Sequence, residues 1–194
     1  MDLSLTVVIP TYNRKNILRK CLNALFNQSY PSSNYEIVVI DDGSNDGTEE
    51  LVKSMKNSSP CALHYFKQKH KGPAAGRNVG IKNAEGRIIL FIGDDIIAAP
   101  NLLEEHIKWH NKYPDDNVAV LGYVTWSPEI EITPFMRWLE NGGPQFHFWQ
   151  IKDKIDVDTS KYFYTSNISV KRKFFFVLRD CFYLFFICNA NNGF

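Results

Sequence analysis

Two pairs of adjacent aspartates, each directly after an apolar run, are the residues of this chain whose spacing suggests chemistry. Asp41-Asp42 follow the run 38–40, and Asp94-Asp95 follow the run 88–92 and Gly93. Short apolar runs are typical of buried parallel strands, and open α/β sheets bind ligands at the carboxyl ends of their strands. Four carboxylates in one crevice repel each other, so the pattern predicts a divalent cation or a hydrogen-bond donor there.

Two further clusters carry side chains suited to binding a ligand. Pro10-Thr11-Tyr12-Asn13 follows the first apolar run and adds an aromatic ring and two short polar side chains. The glycine-containing loop 72–78 opens a predicted helix and includes Arg77, and a helix N-terminus beside a guanidinium suits a pyrophosphate. The dinucleotide-binding motif G-x-G-x-x-G and the P-loop motif G-x-x-x-x-G-K-[ST] do not occur, which disfavours both of these phosphate-binding folds. Each cluster alone also fits a polar turn or a surface arginine, so their coincidence at neighbouring strand ends is what predicts a site.

The elements that must position these residues alternate along the chain. Apolar runs predict strands at 5–9, 37–40, 63–66, 88–92 and 118–121. Helical periodicity predicts helices at 15–28, 74–84 and 101–112, and another that opens with a capping box of Asp46 and Glu49. This order implies an α/β fold with a doubly wound, mostly parallel sheet and right-handed crossovers. Beyond residue 122 we expect loops and irregular strands appended to that sheet.

Composition and charge limit the class of protein. The chain has 194 residues, 44% apolar and 22% charged, which fits one globular domain with a full core. The formal net charge is +1, so no electrostatic case exists for nucleic acid or an extended anionic surface. We therefore expect no nucleic-acid partner.

Cysteine usage and hydropathy bear on the compartment. No Cys-x-x-Cys motif occurs among the four cysteines, and no signal peptide is recognisable, so we expect reduced thiols and a cytoplasmic location. The longest apolar stretch, 174–188, is interrupted by Arg179-Asp180 and is shorter than the roughly 18 residues that span a bilayer. We interpret it as a buried strand or another part of the core, with peripheral contact at the inner face of the membrane as the alternative.

Four segments together resemble the motifs of family 2 glycosyltransferases, which have the GT-A fold. They are 8–13, 39–48, 76–80 and 91–95, in the family's order and spacing, with a weaker match at 165–172. The resemblance implies a Rossmann-like, nucleotide-sugar-binding GT-A core at 1–122 and an acceptor-side portion of the same domain at 123–194. It also implies inverting, metal-dependent transfer of a sugar from a nucleotide-diphosphate sugar to a glycan, polysaccharide or lipid-linked acceptor of the cell envelope.

The resemblance assigns roles to the clustered residues. Pro10, Thr11, Tyr12 and Asn13 would belong to the nucleotide pocket, with Tyr12 stacked on the base. Asp42 would accept a hydrogen bond from the ring N–H of the base.

The remaining implied roles concern the diphosphate and the metal. Gly93-Asp94-Asp95 corresponds to the family's D-x-D-type motif. Asp95 would ligate Mn²⁺ or Mg²⁺, and Asp94 would contact the ribose or the metal's ligand shell. Arg77 would stabilise the diphosphate leaving group, which agrees with the need to neutralise its charge.

The family's general base has no counterpart that we can assign. The base is usually an aspartate in a late Glu-Asp or Gly-Asp-type motif. No Glu-Asp pair occurs after residue 170, and Asp180 is the only acid there, in a context that does not match. Our hypothesis is a chain truncated or frame-shifted near residue 174 and incomplete after about 173. A non-catalytic remnant that still binds nucleotide is therefore the alternative function.

Other features have competing interpretations. His106 and His110 have the spacing of a zinc pair, but the glutamate of H-E-x-x-H is absent, so packing of a helix face is preferred. A receiver-like signalling domain is disfavoured because strand three ends without an aspartate. An aromatic-rich stretch beside the loop 142–144 fits either a sugar acceptor site or core packing; its members are Trp126, Trp138, Phe146, Phe148 and Trp149.

Overall fold

The computed structural model of the protein describes residues 3–140, 148–151, 162–177 and 185–188. Its strands are β1 (Leu5–Thr11), β2 (Tyr35–Asp41), β3 (Ala62–Lys67), β4 (Ile88–Ile92), β5 (Val118–Leu121), β6 (Asn167–Lys171) and β7 (Phe185–Cys188). They form one sheet in the order β3-β2-β1-β4-β6-β5-β7. Strand β6 runs antiparallel to β4 and β5, and the other described pairs are parallel. The predicted α/β class with a mostly parallel sheet is confirmed.

The helices alternate with the strands in the first part of the chain, as predicted. They are α1 (Lys15–Phe26), α2 (Thr48–Lys56), α3 (Pro73–Asn83), α4 (Leu102–Lys112), α5 (Pro134–Glu140), α6 (Phe148–Ile151) and α7 (Phe174–Val177), with a 3₁₀ turn at Ser32–Asn34. Helix α3 begins with Pro73 in its first turn, where the missing N–H costs no hydrogen bond.

The predicted capping box at the start of α2 is wrong, because Gly47 is the N-cap residue and no side-chain hydrogen bond caps the helix there. Asp46 does accept hydrogen bonds from the backbone N–H and the hydroxyl of Thr48. Glu49, however, does not reach back to the helix start, because its carboxylate accepts a 2.7 Å hydrogen bond from Lys53 on the next turn. An i,i+4 ion pair on the helix surface therefore replaces the reciprocal cap.

The core lies on both faces of the sheet. On one face, β-strand side chains pack against Leu18, Leu22 and Leu25 of α1 and against Leu102 and Leu103 of α4. On the other face, a second cluster that includes Val8, Ile40 and Ile89 packs against α3. Helices on both faces are what a doubly wound sheet requires, since each strand must be covered on two sides.

Strand β6 occupies a place that the sequence did not indicate. It comes from the second portion of the chain but lies between β4 and β5, with Asn167 opposite Ile92 and Lys171 opposite Ile88. Its side chains alternate apolar Ile168 and Val170 with polar Asn167 and Ser169, and all four are buried. Strand β6 is therefore built into the sheet rather than appended to its edge, whereas β7 pairs with β5 at the edge.

The order of strands fixes where a ligand can bind. Along the sheet, β2 and β4 flank β1 on opposite sides, so the direction of chain progression reverses at β1. Such a switch point leaves a crevice outside the carboxyl ends of the strands. The polar clusters at 10–13, 41–44 and 93–95 follow β1, β2 and β4, so the three clusters meet at this crevice.

Candidate functional site

The crevice at the ends of β1, β2 and β4 contains a cavity of about 240 Å³. Arg14, Pro73 and Gly93 contribute to its wall. The structure also brings seven of the eight predicted site residues to it: Pro10, Thr11, Tyr12, Asp42, Arg77, Asp94 and Asp95.

Asn13 is the predicted site residue that does not line this cavity. Its backbone is in the left-handed region, with φ of 52°. Its N–H donates to the hydroxyl of Ser44 at 2.8 Å, and its Oδ1 accepts from the N–H of Asn45 at 2.9 Å. Asn13 therefore joins the loop after β1 to the loop after β2, which holds Tyr12 and Asp42 beside each other.

Asp94 and Asp95 differ in burial and in hydrogen bonding. The side chain of Asp94 is 6% exposed, and the hydroxyl of Thr11 donates to its Oδ2 at 2.7 Å. Burial raises the pKa of Asp94, while the Thr11 hydrogen bond and the charge of Arg14 oppose that shift. The side chain of Asp95 is 53% exposed. The buried carboxylate is thus fixed by the protein, and the exposed one is accessible to a ligand.

Arg14 bridges these two carboxylates. Its Nη1 lies 2.7 Å from Asp94 Oδ1, and its Nη2 lies 3.1 Å from Asp95 Oδ2. The backbone carbonyl of Arg14 accepts the N–H groups of Ile17 and Leu18 in the first turn of α1, so the helix start places the guanidinium over the cavity.

Gly93 determines how Asp95 is held. A Cβ atom at Gly93 would lie 2.5 Å from Asp95 Oδ1, closer than such contacts allow. The carboxylate of Asp95 therefore folds back over the glycine.

Asp42 is held by four donors. Its Oδ1 accepts from Gln68 Nε2 at 2.6 Å and from the N–H of Lys71 at 2.8 Å. Its Oδ2 accepts from the N–H of Gly72 at 2.8 Å and lies 2.8 Å from His70 Nδ1. Burial alone would raise the pKa of Asp42, but these hydrogen bonds together with the charge of His70 lower it. A carboxylate has about four lone-pair positions, so a base N–H can bind Asp42 only if Gln68 or His70 moves.

Asp41 does not line the cavity but stabilises the turn that follows β2. Its side chain is fully buried. It accepts from the N–H of Ser44 at 2.7 Å and from the hydroxyl of Tyr65 at 2.5 Å. The first aspartate of the pair therefore closes the turn after β2, and the second reaches the cavity.

Tyr12 already has one aromatic partner. Its ring stacks on His70 with a centroid distance of 4.2 Å and an interplanar angle of 28°. Tyr12 is still 43% exposed and lines the cavity. A planar ligand could therefore stack on this pair, as the predicted role of Tyr12 requires.

Arg77 reaches the cavity because α3 packs closely on the sheet. A Cβ at Gly80 would lie 2.3 Å from Val8 Cγ1, and one at Gly76 would lie 3.3 Å from Pro10 Cβ. These two glycines let the helix approach β1 and place the intervening Arg77 at the wall. Its Nε is buried without a hydrogen-bond partner among the described residues, and burial lowers its pKa. An arginine keeps its charge under such a shift, so Arg77 brings a positive charge to this wall of the cavity.

A second cavity of about 350 Å³ adjoins the first, because Asp95 lines both. Trp126, Ile130, Glu140 and Ser166 are among its other lining residues. Glu140 accepts hydrogen bonds from the hydroxyls of Tyr123 and Thr125. Trp126 is thus the member of the predicted aromatic stretch that the structure brings next to the aspartates.

The other members of that stretch have different environments. Trp138 is 54% exposed and stacks on Phe135 of α5, at a centroid distance of 5.7 Å. Phe148 is buried in the core. Phe146, the loop 142–144 and the side chain of Trp149 lie outside the described residues.

His106 and His110 belong to a buried polar network and not to a zinc site. His106 Nδ1 and His110 Nε2 each lie 2.8 Å from the hydroxyl of Ser169, and His106 Nε2 lies 3.0 Å from Asn167 Oδ1. Burial lowers the pKa of His106 to about 4 and that of His110 to about 3. Across the described ranges, no group of three or more His, Cys, Asp or Glu is arranged to hold a metal. The network ties α4 to β6.

Three contributors to the site were missed by the sequence analysis. Arg14 directly follows the predicted cluster 10–13. Its positive charge, next to a site predicted to hold several carboxylates, is a feature of the sequence that could have identified it. Gln68 and His70 lie just beyond β3, and their contacts with Asp42 depend on pairing of β3 with β2. No local pattern marks such contacts.

Several predictions concern parts of the chain away from the cavity. Cys21 and Cys61 are free thiols. In the part of the chain that the structure describes, no helix has both the length and the apolar character needed to cross a bilayer. The position expected for the family's general base, including Asp180, lies outside the described residues.

Comparison with known sequences places this geometry in a family. The family model for "Glycosyl transferase family 2" matches residues 6–181. An uncharacterised glycosyltransferase of Rickettsia bellii is 37% identical over 142 residues, which is 73% of this chain and 19% of that protein. Glycosyltransferase AglE of Haloferax volcanii is 35% identical over 103 residues, 53% of this chain and 34% of that protein. The chain thus spans between a fifth and a third of the length of these curated relatives.

Solved structures agree on the fold. The crystal structure of Staphylococcus aureus TarS 1–349 in complex with UDP has a TM-score of 0.68 at 23% identity, over 88% of this chain and 47% of that chain. The mannosyltransferase PcManGT of Pyrobaculum calidifontis, in complex with GDP-Man and Mn²⁺, has a TM-score of 0.65 at 25% identity, over 87% of this chain and 44% of that chain. With the family model spanning nearly the whole sheet and the predicted site residues gathered at its switch point, the chain belongs to glycosyl transferase family 2.

Proposed function

We propose that this chain transfers a sugar from a nucleotide-diphosphate sugar to a glycan, polysaccharide or lipid-linked acceptor, with inversion and with a divalent metal. The observation that carries the proposal is the single cavity lined by Tyr12, Asp42, Arg77, Asp94 and Asp95. It combines an aromatic platform, a guanidinium and three carboxylates, which are the groups that a base, a diphosphate and a metal need. Related proteins support the donor class, since TarS has been crystallised with UDP-GlcNAc and PcManGT with GDP-Man.

The nucleoside end of the donor is proposed to lie against Tyr12 and Asp42. Tyr12 and its stacked partner His70 offer a face for the base, and Pro10 and Thr11 form the adjoining wall. Asp42 is proposed to accept the ring N–H of the base after Gln68 or His70 has given up its contact. Asn13 supports this end indirectly, through its hydrogen bonds to the loop after β2.

The diphosphate end is proposed to lie against Arg77 and the aspartate pair. Arg77 supplies a charged donor for the phosphate oxygens as negative charge develops on the leaving group. Asp95 would hold Mn²⁺ or Mg²⁺, with Asp94 in its shell or on the ribose, and the donor set fits because carboxylate and phosphate oxygens are what these ions prefer. A metal held there adds positive charge at the leaving group.

The acceptor is proposed to enter through the second cavity. Asp95 belongs to both cavities, so a sugar bound beside Trp126 would lie next to the donor's diphosphate end. Trp126 offers an aromatic face, and Glu140 offers a carboxylate for sugar hydroxyls. The cell-envelope product, the cytoplasmic location and the peripheral membrane contact stay predictions from the sequence.

Thermal unfolding with a nucleotide panel tests the donor site. The melting temperature is measured with Mn²⁺ and with UDP, GDP, dTDP or CDP, for the wild type and for Asp95→Ala. A ligand at 100 times its Kd stabilises the folded state by about 2.7 kcal/mol. We expect a metal-dependent shift with one nucleotide, and we expect Asp95→Ala to lose it.

Asp116→Ala is the matched control. Its side chain is 51% exposed, against 53% for Asp95, and it faces Lys173 away from the cavity. It should keep the wild-type shift. A folded wild type that responds to no nucleotide would contradict the proposal. If nucleotide binds but labelled donor is neither hydrolysed nor transferred, the non-catalytic alternative is favoured.

A further inference from the structure

Arg14 occupies the position that a divalent cation would take between Asp94 and Asp95. Its two terminal nitrogens lie 2.7 Å from Asp94 Oδ1 and 3.1 Å from Asp95 Oδ2. The other oxygen of Asp94 already accepts the hydroxyl of Thr11. The guanidinium therefore offsets one of the two negative charges when no other cation is present.

Arg14 and a divalent ion cannot use these oxygens at the same time. Mn²⁺ or Mg²⁺ would bind a carboxylate oxygen at about 2.0–2.2 Å, which would place it against the positive guanidinium. The side chain of Arg14 is 42% exposed, so it is free to swing away without disrupting the core. A metal that binds Asp94 Oδ1 or Asp95 Oδ2 must therefore displace Arg14, and the cost of breaking that pair lowers the affinity for the metal.

A nucleotide diphosphate would offset the cost of breaking the Arg14–aspartate pair in two ways, by binding the metal and by binding Arg14. Asp94 and Asp95 supply two carboxylates at this point, and no group of three or more His, Cys, Asp or Glu among the described residues is arranged to hold a metal. Phosphate oxygens would complete the coordination of the metal. The same phosphates would also give Arg14 a new anionic partner, since Arg14 and Arg77 line one cavity and guanidinium groups bind phosphate well.

We propose that Arg14 is a positioning residue that couples metal binding to donor binding, by holding Asp94 and Asp95 until a diphosphate takes over its charge. The inference rests on the proposed function, because it assumes that the cavity binds a nucleotide diphosphate and a divalent ion. Coupling of this kind is reciprocal, so the nucleotide must raise the affinity for metal by the same factor as the metal raises the affinity for nucleotide.

Titration of Mn²⁺ tests this coupling without an activity assay. Free Mn²⁺ is followed by electron paramagnetic resonance for the wild type and Arg14→Gln, with and without the nucleotide that gives the largest thermal shift. Without nucleotide, Arg14→Gln should bind Mn²⁺ about tenfold more tightly than the wild type, which corresponds to about 1.4 kcal/mol. Added nucleotide should raise Mn²⁺ affinity strongly in the wild type and much less in the variant.

Two controls locate the effect. Arg19→Gln removes a charge from the exposed side of α1 and should leave Mn²⁺ affinity unchanged. Adding Asp95→Ala to Arg14→Gln should abolish the gain. Equal Mn²⁺ affinity in Arg14→Gln and the wild type, or an equal gain in Arg19→Gln, would overturn the inference. Absence of Mn²⁺ binding in every protein would overturn both the coupling and metal dependence, while nucleotide binding would still be judged by the metal-free thermal shift.

Discussion

The buried histidines of α4 predict that the folded state loses stability between pH 6.5 and pH 5. His106 is fully buried and His110 is 2% exposed, and Lys171 adds a positive charge that further lowers the pKa of His110. Neither histidine can take up a proton at mild acidity while the protein is folded. In the unfolded chain both are free to do so, so acid shifts the equilibrium toward unfolding.

The size of the effect follows from the two pKa values. The folded-state pKa is about 4 for His106 and about 3 for His110, below the ordinary value of 6.5. Because the folded pKa is depressed, the stabilisation is complete above pH 6.5 and is lost as the pH falls toward the folded values. At pH 5 the solution is about 1.5 pH units below the pKa of 6.5 that each histidine has in the unfolded chain. At 1.36 kcal/mol per unit, protonation of each histidine in the unfolded chain lowers the free energy of unfolding by about 2 kcal/mol. The pair together therefore removes about 4 kcal/mol, a large part of a typical total of about 5–15 kcal/mol.

Urea denaturation at pH 7.5, 6.5, 5.8 and 5.0 measures this dependence. The carboxylates of the unfolded chain are almost fully ionised in this range, because their pKa values lie near 4. The double variant His106→Gln/His110→Gln should lose most of the slope of unfolding free energy against pH. His64→Gln, at a side chain that is 42% exposed, should keep it.

The comparison uses the slope of the unfolding free energy against pH and not its absolute value. A variant that is less stable than the wild type but still folded is therefore informative. If the double variant does not fold, the wild-type slope alone must correspond to an uptake of about two protons on unfolding near pH 5. A wild type whose stability is constant from pH 7.5 to 5.0 would refute the reasoning.

Two further substitutions test the packing that shapes the site. Gly80→Ala should destabilise the protein by about 1–3 kcal/mol in urea denaturation, because its new Cβ would lie 2.3 Å from Val8 Cγ1; Asn78→Ala, on the exposed side of α3, should change stability by less than about 0.5 kcal/mol, and equal effects would contradict the close approach. Tyr65→Phe should cost about 1.5–3 kcal/mol, because the buried carboxylate of Asp41 loses its 2.5 Å hydroxyl donor; a neutral result in the same assay would mean that Asp41 does not depend on that bond.

Local periodicity was enough to predict the first five strands and the crevice. The runs ending at Ile9, Ile40 and Ile92 are apolar on both faces, because helices cover both sides of the sheet. Parallel strands joined by helices end at the same edge, so the polar residues after each run had to meet. Nothing beyond the order of elements was needed for that conclusion.

Long-range pairing decided what local patterns could not. Strand β6 alternates polar and apolar residues, which is typical of a strand with one solvated face, yet both faces are buried here. Its Asn167 and Ser169 are satisfied by His106 and His110 of α4, which lie about 60 residues away in sequence. The two histidines whose spacing resembles a zinc pair are therefore part of a hydrogen-bond network. Their partners lie on β6, a strand that the sequence did not predict.

The four aspartates that first marked the site turn out to be unequal, and the inequality indicates which of them is left for a ligand. Asp41 is closed by a tyrosine hydroxyl and a backbone N–H, and Asp42 has four donors. Asp94 is held by Thr11 and Arg14. Asp95 is the most exposed of the four, and among the described residues its one hydrogen-bonded partner is the half-exposed Arg14. The repulsion between carboxylates that the sequence predicts is thus relieved by donors within the fold at Asp41, Asp42 and Asp94. At Asp95 it is relieved by Arg14, whose exposed side chain can move away. Asp95 is therefore the carboxylate at which a divalent ion costs least to bind, and Arg14 is the residue whose removal should change that cost.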